Sequence, residues 1–182
     1  FIPITGVATF MLVGYAAADT KAPEITSDQI EVPYGEKFDV DTVDVTDNRD
    51  SRDDIQVSAD LASLNVEQLG DYKVTVTATD SFNNETTKEV TVKVVDQEGP
   101  KFETLGSNEG YVVEVPVNGS SDLSSYVKAS DNVDGDVTPF IEADKTLDTS
   151  KLGTQTITLK ATDVSGNETE KIILEGFRNL SD

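Results

Sequence analysis

The chain has 182 residues, 36% hydrophobic and 27% charged, enough to pack one large or two small domains and too apolar for global disorder. Its formal charge of −21 is spread over both halves, with 18 acidic against 6 basic residues in 22–97 and 16 against 7 in 98–182. Such a surface repels phosphate backbones and anionic lipid, which argues against nucleic-acid and membrane-surface binding. With no Cys and no His, disulfides, thiol chemistry, Cys/His zinc sites and Ser-His-Asp or Cys-His catalysis are excluded.

From Phe1 to Ala18 there is no charge, and the apolar run through Phe10, Met11, Leu12 and Val13 ends in small residues, Ala16 and Ala18, ahead of Asp19. This is the pattern of a secretory h-region with an A-x-A cleavage site. A membrane anchor and a buried strand are the alternatives; Pro3, Gly6 and Gly14 weaken a spanning helix. From the missing Met and missing Lys/Arg stretch, the true N-terminus is expected upstream. Residues 1–18 are therefore expected to be a truncated signal peptide or anchor, and the protein to be exported.

Beyond residue 18 the chain repeats itself at a spacing near 83 residues. Ala22-Pro23-Glu24-Ile25 opens one copy and Gly99-Pro100-Lys101-Phe102 the other. Glu31-Val32-Pro33 recurs as Glu114-Val115-Pro116, and Thr46-Asp47-Asn48 as Ser130-Asp131-Asn132. Leu69-Gly70 recurs as Leu152-Gly153, Ala78-Thr79-Asp80 as Ala161-Thr162-Asp163, and Asn84-Glu85-Thr86 as Asn167-Glu168-Thr169. The period inside each copy is two. Tyr72, Val74, Val76 and Ala78 alternate with polar residues, as do Val90, Val92 and Val94, and in the second copy Ile157, Leu159 and Ala161. Turns rich in Asp, Asn, Ser and Gly join these strands at 80–84 and 163–167. One-sided sheets of short strands must pack on each other, so each copy is expected to be a two-layer antiparallel β-sandwich. The predicted domains are 19–97 and 98–178, divided at Asp96-Gln97-Glu98-Gly99-Pro100, with 179–182 as a tail. The last strand fits least well. Glu175 falls where Val92 stands, so Ile172 and Leu174 are expected inward through a one-residue register change or bulge, unless the strand is cut short.

The second copy carries Ala129-Ser130-Asp131-Asn132-Val133-Asp134-Gly135-Asp136-Val137-Thr138, then Asp148-Thr149-Ser150-Lys151-Leu152-Gly153, then a strand ending Thr162-Asp163-Val164-Ser165-Gly166-Asn167. These stretches resemble the bacterial Ig-like repeat family related to the hyalin repeat, whose usual runs are A-x-D-N-x-D-G-D-[VIL]-T, D-T-S-x-x-G and T-D-x-[SA]-G-N. The first copy departs from it, with Ser51-Arg52 for Gly-Asp and Asn83-Asn84 for Gly-Asn. The resemblance covers about 22–178 and implies two tandem immunoglobulin-like sandwiches behind a hydrophobic export segment. It further implies a secreted or surface-attached bacterial protein, Gram-positive, in which such modules space, adhere or target as monomeric units of a longer chain. Cell-wall or host-surface glycans or proteins are the partners this implies. The alternative is an accessory region of a cell-wall hydrolase or glycosidase whose catalytic domain lies beyond residue 182. No catalytic residue is assigned, because a carboxylate pair needs a cleft that this strand pattern does not build.

Asp131, Asp134 and Asp136 lie at alternating positions of one loop and are the calcium candidates, although Asp and Gly also suit a plain turn and no EF-hand glutamate closes the set. Asp47, Asp50, Asp53 and Asp54 present the same choice, with Arg49 and Arg52 available to neutralise them. No other cofactor is expected. The linker Asp96-Gln97-Glu98 lacks the full calcium-binding pattern of cadherin linkers and reads as a short hinge. Among Tyr34, Tyr72, Tyr111 and Tyr126, Tyr72 is expected in the core and Tyr34, beside Gly35, is the best exposed stacking candidate.

Overall fold

The computed structural model describes residues 18–105 and 112–178. The expected export segment, Tyr111 and the tail at 179–182 lie outside the described residues, apart from Ala18. Within them, no helix is long and apolar enough to cross a membrane. Among the described residues the chain is all-β, its strands joined by turns, loops and short 3-10 segments.

The first copy contributes β1 (Glu24–Ile25), β2 (Gln29–Pro33), β3 (Val45–Thr46), β4 (Gln56–Asp60), β5 (Gly70–Thr79) and β6 (Glu85–Val95). The second contributes β7 (Lys101–Thr104), β8 (Val112–Pro116), β9 (Val127–Asp131), β10 (Gly135–Asp136), β11 (Ile141–Ala143), β12 (Gly153–Thr162) and β13 (Glu168–Arg178). Each copy forms a four-stranded and a smaller sheet. The orders are β2-β6-β5-β4 and β1-β3 in the first, β11-β12-β13-β8 and β10-β9-β7 in the second. By Cα proximity the described residues group into two compact units, one of 18–30, 39–64 and 72–92, the other of 31–38, 65–71 and 93–178.

The period of two is realised as inward and outward faces. Val74, Val76 and Ala78 on β5, Val90 and Val92 on β6, and Ile157, Leu159 and Ala161 on β12 are fully buried, while the residues between them stay in contact with solvent. In the second copy Val113, Val115, Val127, Leu147, Ile157, Leu159 and Ile173 form one core, against which Phe102, Leu123 and Tyr126 pack. Both sheets supply residues to it, which makes this copy a two-layer sandwich.

Two expectations change. The β12–β13 ladder runs without interruption from Gly153↔Phe177 to Thr162↔Glu168. Ile173 is fully buried and Ile172 is 62% exposed. There is thus no bulge and no register change: Ile173 takes the inward place that Val90 holds in the first copy. The expectation that Ile172 points inward was wrong because it weighed one polar residue, Glu175, above an intact ladder. The other change is local. β8 pairs parallel with β13 (Val113↔Glu175, Val115↔Phe177), whereas the β11–β12 and β12–β13 pairs of the same sheet are antiparallel. A parallel neighbour requires a long connection, and four strands of the second copy separate β8 from β13.

Turn chemistry explains the recurrent Asp/Asn/Gly stretches. In the β5–β6 connection the Asp80 amide donates to the Asn84 carbonyl and the Asn83 amide to the Asp80 carbonyl; Asp163, Asn167 and Gly166 repeat these bonds between β12 and β13. The third loop residue is left-handed in both, Asn83 at φ 64° and Gly166 at φ 91°. Only Gly and Asn visit this region readily, so the Asn-for-Gly departure from the family pattern preserves the turn.

Candidate functional site

The second copy gathers Asp96, just past β6, Asp131 at the end of β9, Asp134 in the β9–β10 turn and Asp163, just past β12. One carboxylate oxygen from each lies within 4.8 Å of the others. Local backbone bonds hold every member. The Oδ1 of Asp131 accepts from the Val133 and Asp134 amides at 2.8 and 3.0 Å. Asp134 Oδ2 accepts from the Val164 amide at 2.8 Å, tying the β9–β10 turn to the β12–β13 turn. Asp163 accepts from the Asn167 amide at 2.8 Å and side chain at 2.9 Å, and the Asn167 side chain also donates to the Asp96 carbonyl at 3.3 Å.

This bonding leaves two oxygens unsatisfied. Oδ2 of Asp96 and Oδ2 of Asp131 are shut off from solvent and accept no hydrogen bond. A buried polar atom without a partner costs roughly 1–3 kcal/mol, more when charged. Burial pushes the Asp96 carboxyl above its ordinary value; the negative charges of Asp131 and Asp163 push the same way, against hydrogen bonds from Ser165 and the Glu98 amide. Among the described residues no salt bridge ends on any of the four aspartates. Clustered carboxylates with buried, donor-free oxygens suit a hard divalent cation, since calcium is bound through oxygen ligands.

The first copy repeats the arrangement with Asp19, Asp47 and Asp80. Asp47 Oδ1 accepts from the Arg49 and Asp50 amides, and its Oδ2 is buried and unsatisfied. Asp80 accepts from the amides of Phe82 and Asn84 and from the Asn84 side chain, which also donates to the Asp19 carbonyl. Burial works against the charge on Asp80, yet the Asn84 and Phe82 donors hold its carboxyl below the ordinary range. Asp50 Oδ2 accepts from the Ser81 amide, matching Asp134.

Of the calcium candidates, Asp131 and Asp134 therefore come together and Asp136 does not. Asp136 is exposed and its Oδ1 accepts from the Thr138 amide, which with the Thr138 hydroxyl holds its carboxyl below the ordinary value. Asp53 and Asp54 sit in a 3-10 turn, where Asp54 accepts from the Ser51 hydroxyl. Asp96 and Asp163 escaped the reading by loop position because they are distant in sequence. The signal that could have found them is the repeat itself, in which Asp80 and Asp163 close matching strands and Asp19 and Asp96 precede matching openings. The tyrosines offer less. Tyr34 and Tyr72 are half-buried, and Tyr126 packs on the core with its hydroxyl donating to the Ser120 carbonyl.

Residues 24–94 match the sequence profile of the family described as "Bacterial surface protein, Ig-like domain". Over 155 residues, 79% of this chain, the sequence is 30% identical to an uncharacterised 81.3 kDa protein of Acholeplasma phage L2. Over 175 residues, 86% of this chain, it is 28% identical to the serine-rich adhesin for platelets of Staphylococcus aureus strain MRSA252. The chain spans 20% of the phage protein and 13% of that adhesin. Among solved structures, Drosophila N-cadherin EC1-4 shares 18% identity over 88% of this chain and 50% of its own, with a TM-score of 0.35. Residues 24–94, which make up most of the first copy of the repeat, are thus similar to a bacterial surface protein Ig-like domain.

Proposed function

We propose that the chain is a non-catalytic extracellular spacer of a Gram-positive surface adhesin, and that its second copy binds a calcium ion through Asp96, Asp131, Asp134 and Asp163. The observation that supports the metal is the pair of buried, donor-free oxygens on Asp96 and Asp131. A divalent cation there supplies the positive charge that four converging carboxylates lack. It also cross-braces the residues that follow β6, β9 and β12, which hydrogen bonds from Val164 to Asp134 and from Asn167 to Asp96 already link in part. Calcium in this place is structural: it ties loops and carries no reaction.

Spacing is favoured over adhesion because the polar side chains that recur between the copies are spent on fixing turns, as Asp80, Asn84, Asp163 and Asn167 show. The adhesin relatives support a surface setting. The test is made in the intact parent protein, with residues 19–178 replaced by an unrelated sandwich pair of equal length. Unchanged adhesion is expected. Loss of adhesion, together with retention of the purified 182-residue chain on cell walls or host glycans, would show a binding surface instead.

A further inference from the structure

The two aspartate clusters, of three members in the first copy and four in the second, differ in the side chains that stand beside them. In the first copy a guanidinium stands beside the carboxylates: Arg49 Nε is 3.9 Å from Asp19 Oδ2, and the Asp19 side chain is only 5% exposed. The same guanidinium lies over the Phe82 ring, 5.3 Å from its centroid, so an aromatic face seats it. Both oxygens of Asp19 are taken as well, accepting from the Asn48 side chain at 3.3 and 3.1 Å. In the second copy Val133 stands in the place of Arg49 and Ser165 in the place of Phe82. The cation and its aromatic seat are present together in one copy and absent together in the other.

We infer that Arg49, seated on Phe82, is an internal cation that takes the place of a divalent metal in the Asp19/Asp47/Asp80 cluster, so that the two copies have opposite calcium requirements. The inference rests on the calcium reading of the second copy. A guanidinium cannot leave with a change in calcium, whereas a bound ion can. The first copy therefore stays assembled whatever the calcium concentration, and the second responds to it. The remaining buried oxygen, Asp47 Oδ2, marks where a metal ligand would be offered once the guanidinium is gone.

The test is calcium titration calorimetry on the whole chain, with circular dichroism confirming that each variant is folded. Wild type is expected to bind one calcium, which Asp131→Asn abolishes and Asp47→Asn leaves in place. Arg49→Val/Phe82→Ser, which installs the residues of the second copy, is expected to bind a second ion that Asp47→Asn removes. Two sites in the wild type, one of them lost in Asp47→Asn, would overturn the inference while leaving the calcium reading intact. So would a folded double variant that still binds only one ion. No binding by the wild type would remove the calcium reading, and the role of Arg49 is then decided without metal. A melting temperature that falls at pH 7 in Arg49→Val, where the carboxylates lose their counter-charge, upholds it, and an unchanged one overturns it.

Discussion

Chelation of calcium is expected to lower the melting temperature of the second copy by an amount that can be worked out. Extracellular calcium modules bind with dissociation constants of about 0.1–1 mM. At the tight end of that range, about 1 mM calcium is a tenfold excess over the dissociation constant and stabilises the native state by about 1.4 kcal/mol. A cooperative unit of roughly 60–100 residues shifts by about 4–8 °C per kcal/mol, so a rise of roughly 6–11 °C over chelator is expected. The assay is calorimetric melting of the whole chain in 1 mM calcium (about tenfold over the dissociation constant) and in chelator. Asp131→Asn sharpens it, because removing that carboxylate has opposite effects in the two buffers. In calcium the variant loses a ligand and its melting temperature falls. In chelator it sheds one of the clustered negative charges, so it melts no lower than the wild type. Coincident melts of the wild type in both buffers, or a calcium shift that survives in Asp131→Asn, would refute the reasoning.

Other expectations follow from single positions. Ile173→Ala, at a fully buried site, is expected to cost about 2–5 kcal/mol, whereas Ile172→Ala on the exposed face stays within about 0.5 kcal/mol in denaturant titrations; the reverse order would reinstate the shifted register. Gly166→Ala is expected to cost about 1–2 kcal/mol, because the site is left-handed and has open space around a new Cβ, so backbone strain is the whole penalty; an unchanged melting temperature would show that the turn can switch conformation. Acid melting should resolve two carboxylates of opposite sign. Hydrogen bonds from Ser150 and Lys151 lower Asp148 to about 2, so its stabilisation is present above its ordinary value of 3.8 and lost as pH falls towards 2, and Asp148→Asn should flatten that limb. Asp96 is raised instead, so in chelator its penalty is full at neutral pH and lifts as pH falls through the raised value towards 3.8; Asp96→Asn should remove that part of the pH dependence.

The strands were legible because a two-residue period has one physical reading when the apolar set is Val, Ile, Leu and Ala. Val74, Val76 and Ala78 could face only one way, and the core found them there. The cluster was half legible. Asp131 and Asp134 share a loop and announce themselves by spacing, but Asp96 and Asp163 arrive from other strands, and no local pattern joins residues brought together by sheet topology. Asp136 misled for the complementary reason: alternate positions in a loop suggest a shared ligand only if the backbone curls around it. Here Gly135 and Asp136 instead pair with β9, which carries Asp136 away into a bond with Thr138.

The repeat also explains why a charge of −21 is compatible with two compact units. Self-repulsion of a strongly acidic chain is worst where carboxylates are forced together and dry. In this chain that happens at the same place in each copy, where the ends of strands converge. Elsewhere acidic side chains sit on solvated faces or meet lysines, as in Asp28 with Lys88 and Glu168 with Lys160. At the convergent points a positive charge relieves that repulsion. The first copy carries that charge covalently in Arg49. On the proposed calcium reading the second copy takes it from an ion of the medium, which would make one copy a fixed unit and the other a calcium-responsive one. The proposed difference lies in Arg49 with Phe82 against Val133 with Ser165, while Asp47, Asp50 and Asp80 have counterparts in Asp131, Asp134 and Asp163.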